Sequence, residues 1–281
     1  MYATALIALD ISPAEAAMLD CLDDLRAMGV ARVVLVHVVR SGWTQGTALA
    51  KRDEYVAWLE GHAAPLRTAG LDVTADVRAA FEPGAEIRTA AAEHGADLIV
   101  VGSRGQSMAR GIFLGSTARA VLRDSPLPVR LEWLEGDGNG CARACRAGLS
   151  RTMLATDFSR QAAAAETAAA GIDAAHIDIV HVVTPEQHAR YPRWPVMARA
   201  ALNAITQEIE SGGAKAATHL PDGTPSAEIA RLAAACDAQL IILGKHGQNW
   251  IESMLIGSTA ANLCEVARRP VLMVPARGAE A

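Results

Sequence analysis

Two stretches of the chain, Val101–Leu122 (VGSRGQSMARGIFLGSTARAVL) and Leu243–Cys264 (LGKHGQNWIESMLIGSTAANLC), write one glycine spacing twice. In each, a glycine is followed by another three positions on and by Gly-Ser-Thr ten positions after that, while the residues between differ freely. Each stretch closes an apolar run, "DLIVVG" at Gly102 and "QLIILG" at Gly244. A run apolar on both faces is what a parallel strand covered by helices on both sides requires. The spacing therefore reads as strand, loop and helix start, made twice.

The repeat extends well beyond the glycines. Asp10 in "LIALDIS" matches Asp157 in "MLATDFS", and His37 in "VLVHVV" matches His181 in "DIVHVV". Glu86 and Glu228, Gly102 and Gly244, Gly115 and Gly257, and Pro128 and Pro270 then keep one constant separation. Short loop deletions early in the second copy account for the change before Glu86. Self-similarity at this period means two structural units in tandem, and 281 residues accommodate two domains of about 140 each. The expected division is residues 1–134, a linker at 135–150, residues 151–276 and a tail at 277–281. "EGDGNGCARACRAG" at Glu135–Gly148 is rich in glycine and turn formers.

In the first copy the alternation predicts strands near Ala3–Leu9, Arg32–Val38, Leu71–Val77, Asp97–Gly102 and Pro128–Trp133. Helices are expected over Ala14–Met28, Ala48–Ala69, Pro83–His94 and Ser116–Asp124, and the second copy repeats the order from Arg151 to Pro275. The fold class is α/β: two tandem doubly wound domains, each with a five-stranded parallel sheet and a ligand crevice at the carboxyl ends of its strands.

Composition narrows the function. Half the residues are apolar (51%) and few are aromatic (4%), which suits close-packed layers. A net charge of −5 without a basic tract argues against nucleic acid. Five scattered cysteines point to a reducing compartment. The opening "MYATALIALD" lacks a basic leader, and no apolar run reaches the roughly 18–20 residues of a membrane helix. The expectation is a cytoplasmic protein without membrane contact.

At the repeated motif, Gly102 ends a strand, Gly105 follows in the loop, and Gly115-Ser116-Thr117 opens a helix; Gly244, Gly247 and Gly257-Ser258-Thr259 do the same. Glycine permits unusual dihedrals and close approach of a ligand to the main chain. A helix start offers unpaired amides and the positive end of its dipole to an anion. Neither the P-loop nor the dinucleotide glycine pattern is present. A helix cap with two turns would use the same residues, but its appearance twice in register favours phosphate binding.

Both copies resemble universal stress protein domains, whose nucleotide-binding members carry G-x2-G-x9-G-[ST] after the fourth strand. The likeness covers nearly the whole chain apart from linker and tail. It implies an adenine nucleotide alpha hydrolase-like fold packed as a pseudo-twofold pair, with domain pairing through the fifth strands inside one chain; further association into a homodimer is left open. It also implies ATP or AMP as ligand, with Asp10 and Asp157 at the ribose and the main chain of Val38 and Val182 at the adenine edge. The glycines and Ser116 or Ser258 would cradle ribose and phosphates. A magnesium or manganese ion on the phosphates is a further expectation, because triphosphate charge calls for neutralisation.

The copies differ informatively. "ATDFS" is closer to the family's nucleotide-binding pattern than "ALDIS", where Leu9 replaces a threonine, so the second site is expected to be at least as competent. Arg104 and Lys245 read as solvated surface cations. His37 and His181 read as structural residues near the pocket wall, since no partner for a general base stands at local spacing. Asp10 and Asp157 also suit capping of the following helix. Cys141 and Cys145 read as incidental. Trp194 either meets a partner or pins its own loop. The functional expectation is a nucleotide-binding stress sensor or regulator with an unidentified protein partner. A slow ATPase and a scaffold with empty sites are the alternatives.

Overall fold

The computed structural model describes residues 1–40, 51–104, 114–136, 141–145, 148–248 and 255–276. The chain divides into two compact units, Met1–Arg143 and Ala144–Ala281. In the first unit, strands β1 (Thr4–Ala8), β2 (Arg32–Arg40), β3 (Asp72–Ala80), β4 (Leu98–Gly102) and β5 (Val129–Glu132) lie in the order β5-β4-β1-β2-β3, all parallel. A short antiparallel hairpin follows, β6 (Leu134–Gly136) with β7 (Cys141–Arg143). In the second unit, β8 (Arg151–Ala155), β9 (His176–Val180), β10 (Lys215–His219), β11 (Leu240–Gly244) and β12 (Val271–Val274) take the order β10-β9-β8-β11-β12, again parallel.

The topology positions the site. Each unit starts in the middle of its sheet, winds outward through two strands, then returns to the other side of the first. The reversal leaves a crevice beyond the carboxyl ends of β1 and β4, and of β8 and β11, where ligands of doubly wound sheets sit. The strands beneath are fully buried at Leu6, Ile7, Ile99, Val100, Leu154 and Ile242, as their apolar runs demand. Helices cover them through small residues: Ala165, Ala168 and Ala169 are the buried face of the helix Ala163–Ala170. No helix among the described residues is long and apolar enough to cross a membrane.

Two local differences from the sequence reading have physical causes. The single helix expected over Ala14–Met28 is two, Glu15–Leu19 and Leu22–Ala27. Asp20 and Cys21 stay near helical dihedrals (ψ −11° and −6°), so the break is a loosened turn. Its Asp20 carbonyl accepts from Arg143 Nη1 at 3.0 Å. Arg143, in a stretch that reads as linker, belongs to a buried ion network beneath the β6–β7 hairpin. Arg130 Nη2 meets Asp24 Oδ2 at 2.6 Å, and Arg143 meets Asp24 at 2.5 Å and Glu132 at 3.1 Å. Arg130 also pairs with Glu132. Two cations and two carboxylates balance, which is the condition for keeping such charges inside a protein.

Candidate functional site

The glycine register is explained by a staple common to both units. Ser103 donates its amide to the Glu132 carbonyl and accepts the Gly115 amide on its own carbonyl, each at 2.8 Å. Lys245 does the same with Val274 and Gly257, again at 2.8 Å. The residue after the first glycine thus ties the fifth strand to the Gly-Ser-Thr turn, whatever fills the loop between. That is why the spacing repeats while the gap residues vary.

The helices Ser116–Asp124 and Ser258–Val266 then start from glycine N-caps that have no side-chain cap bond. Their first backbone bonds run from Arg119 to Gly115 and from Ala261 to Gly257. The amides of Ser116, Thr117 and Ala118, and of Ser258, Thr259 and Ala260, consequently have no acceptor among the described residues. Three bare N–H groups at the positive end of a helix dipole attract an anion.

The motif glycines are needed for space. None of those described has a positive φ, which corrects the expectation of unusual dihedrals. A Cβ on Gly244 would lie 3.0 Å from the His246 carbonyl oxygen, and one on Gly257 would lie 3.2 Å from that of Lys245. A Cβ on Gly247 would collide with the Asp157 carboxylate. Gly105 and most of both loops lie outside the described residues.

In the second unit these groups surround a cavity of about 730 Å³, lined among others by Asp157, Val182, Gly244, Lys245, Gly247, Gly257, Ser258 and Thr259. Asp157 closes the turn after β8: Oδ1 accepts from the Ser159 amide at 3.0 Å, and Oδ2 from the Gln248 amide at 2.7 Å. It therefore braces a turn and the glycine loop; the following helix begins later, from an Ala162 N-cap without a side-chain cap bond. An ionised carboxylate has about four acceptor positions, and the described residues occupy two of them. Val182 is buried, and its amide and carbonyl have no backbone partner among the described residues, although His181 N and Val183 N on either side are bonded. One donor and one acceptor at the cavity wall suit the edge of a heterocycle. Lys245 is 7% exposed and lines the cavity, which overturns its reading as a solvated surface cation.

His181 is a structural wall residue. Nδ1 lies 2.9 Å from the Thr156 carbonyl, and Nε2 accepts from Trp194 Nε1 at 3.0 Å. These partners assign the neutral imidazole with its proton on Nδ1. Burial pushes its pKa down, outweighing the bond to Thr156. With both nitrogens engaged it is not available as a general base. Trp194, open between two readings in the sequence, opens the helix Trp194–Ser211 and ties that helix start to His181 through this bond. The Phe158 ring packs at a tilt against His181, centroids 4.4 Å apart, from a backbone held at φ 60°. Thr156, the threonine that distinguishes "ATDFS", donates its hydroxyl to Glu166 and accepts from the Phe158 amide at 3.0 Å. The residue that Leu9 replaces in the first copy thus organises the turn carrying Asp157.

The first unit repeats the frame, with Leu9 where the second has Thr156. Ser12 Oγ donates to Asp10 Oδ1 at 2.7 Å, and the next helix starts from an uncapped Ala14. His37 Nδ1 lies 2.9 Å from the Leu9 carbonyl, its ring against Tyr55 and Trp58, each at 5.2 Å. Val38 continues β2 beyond the end of β1. Gly102 faces Leu134 and Met18 side chains: an added Cβ would stand 2.8 and 3.0 Å from them. Cys141 and Cys145 are free thiols.

The model of the universal stress protein family matches residues 1–131 and again 149–275. Two universal stress proteins of Methanocaldococcus jannaschii are similar in sequence. One is 35% identical over 74 residues, 26% of this chain and 44% of the relative. The other is 31% identical over 77 residues, 27% and 48% respectively. The chain thus spans about half the length of these curated relatives. A crystal structure of a universal stress protein from Archaeoglobus fulgidus superposes with a TM-score of 0.72 at 23% identity, covering 99% of this chain and 97% of that one. A functionally unknown protein from Pseudomonas aeruginosa gives 0.69 at 17% identity, with 98% and 93% covered. These two likenesses concern the fold alone.

Proposed function

This chain belongs to the universal stress protein family, and from that premise we propose that it binds an adenine nucleotide, ATP or AMP, with the second unit as the principal site of a stress sensor or regulator. The observation that carries the reading is the convergence on one cavity of three helix amides and a Val182 main-chain donor and acceptor, none with a backbone partner among the described residues, and the Asp157 carboxylate. These are the groups that phosphates, an adenine edge and ribose hydroxyls call for. Lys245 at the same wall supplies a positive charge. A magnesium or manganese ion would take most of its oxygens from the phosphates and water, with Asp157 and Glu186 the carboxylates that line the cavity.

Asp10, Val38, Gly102, Gly105, Gly115, Ser116 and Thr117 would form the corresponding site in the first unit, weaker because Leu9 gives its turn no hydroxyl. Sensing would work by mass action: a ligand bound only by the folded protein stabilises it. Catalysis is not the favoured reading, because His181 has no free nitrogen for proton transfer. The test is to denature the purified protein and identify the small molecule released. Adenine nucleotide at up to two per chain is expected; none released, together with no heat on ATP titration, would leave a scaffold with empty sites.

A further inference from the structure

Away from the nucleotide cavity, the second unit gathers a donor set that the function above does not use. On one face of its sheet stand Asp178 and His176 of β9 and His219 of β10, while Cys236 caps the end of the helix Pro225–Ala235. Asp178, His219 and Cys236 each offer one donor atom, and these atoms all lie within 4.8 Å of one another. The Asp178 to His219 distance is 2.8 Å and the Cys236 to His219 distance is 4.0 Å. His176 Nε2 stands 3.6 Å from the same Asp178 oxygen; it is shielded from water and has no hydrogen-bond partner among the described residues.

We infer that Asp178, His219 and Cys236 form a three-residue binding site for a zinc-class divalent transition ion. Three features carry this. The first is convergence. A nucleophilic Cys–His–Asp relay would use different nitrogens of the imidazole for thiol and carboxylate, whereas here both approach Nε2. Groups that crowd one atom in this way suit a shared central ion. The second is dimension. Zinc bonds of about 2.0–2.3 Å in tetrahedral array place neighbouring donor atoms about 3.3–3.8 Å apart, and the observed 2.8 and 4.0 Å bracket that edge.

The third feature is charge and support. One carboxylate and one thiolate cancel a divalent charge in a site where Asp178 is 1% exposed. Its other oxygen is already held by Arg151 Nε at 2.9 Å, an outer contact that fixes a ligating carboxylate. The first unit treats the matching helix end differently. There His94 caps the helix and meets Asp76 at 2.8 Å, and Arg78 reaches Asp76, Glu86 and Glu93. That corner is a closed ion network without a thiol, which marks the second-unit cluster as a distinct device.

The test uses the tag-free full chain, stripped with a chelator and titrated with cobalt(II), then with zinc(II) in competition. One equivalent per chain is expected, with the intense near-ultraviolet absorption of a cobalt–thiolate bond. Cys236→Ser should remove that band and weaken zinc binding by on the order of 100-fold. His219→Gln should weaken it similarly, and Cys141→Ser should leave both unchanged. Apo-protein melting temperatures of the variants check that the fold persists. A wild-type protein that gives no thiolate band, or binds zinc no tighter than Cys236→Ser, would overturn the inference. Nucleotide binding is a separate readout, so loss of either claim leaves the other standing.

Discussion

At the scale of single residues, the second site is held by atoms with two duties. Asp157 braces the loop through the Gln248 amide while keeping acceptor capacity for a ligand. The close approach of Gly247 makes this possible, and Gly247→Ala tests it. A methyl group there would meet the carboxylate and push it off its amide, so nucleotide affinity should fall about tenfold, equivalent to about 1.4 kcal/mol. Calorimetric titration reads this directly; an unchanged affinity would remove Asp157 from the site. His181 offers a second prediction. Its folded pKa lies below the ordinary value of about 6.5, so the unfolded chain takes up a proton that the folded chain resists. Its contribution to stability is complete above that value and is lost as pH falls from there toward the folded pKa. Urea unfolding between about pH 7.5 and 5.5 should show this loss in the wild type and a smaller one in His181→Gln. Equal losses would contradict the neutral, doubly bonded imidazole.

At the scale of elements, the hairpin after β5 shows where local pattern stops being informative. "EGDGNGCARACRAG" has the composition of a loop, yet Arg143 within it joins a network whose other members come from β5 and from a helix near the start of the chain. The Arg130 to Asp24 pair spans 106 positions, and no local periodicity encodes such a pairing. The same holds for Lys245, whose burial depends on the cavity around it, and for Trp194, whose bond to His181 depends on how the intervening connection folds. Strands and the Gly-Ser-Thr helix starts were legible because their signals are local: apolar runs, glycines and small helix openers. The network makes a prediction of its own. Arg130→Met should leave two buried carboxylates with one cation and cost about 3–5 kcal/mol. Chemical denaturation would show it; a change below about 1 kcal/mol would mean that the charges are solvated after all.

At the scale of the whole molecule, the chain contains one frame twice with unequal furnishing. The repeat was readable from matched residues across the full length, and both units carry the same strand order and the same staple. The inequality was partly readable: Leu9 against Thr156 was visible in sequence, but that the threonine serves the Asp157 turn through Glu166 and Phe158 required the structure. If nucleotide binds the folded state alone, stability should rise by about 2.7 kcal/mol at a hundredfold excess over Kd. Gly257→Val, which crowds the Lys245 carbonyl at the loop staple, should remove most of that rise, and Gly115→Val a smaller part.

The most direct test is a calorimetric titration of ATP into four proteins: the wild type, Gly115→Val, Gly257→Val and the double variant, each first shown to melt cooperatively. The account predicts that Gly257→Val loses the tighter binding event, Gly115→Val at most the weaker one, and the double variant both. Undiminished stoichiometry and affinity in a folded double variant would contradict it.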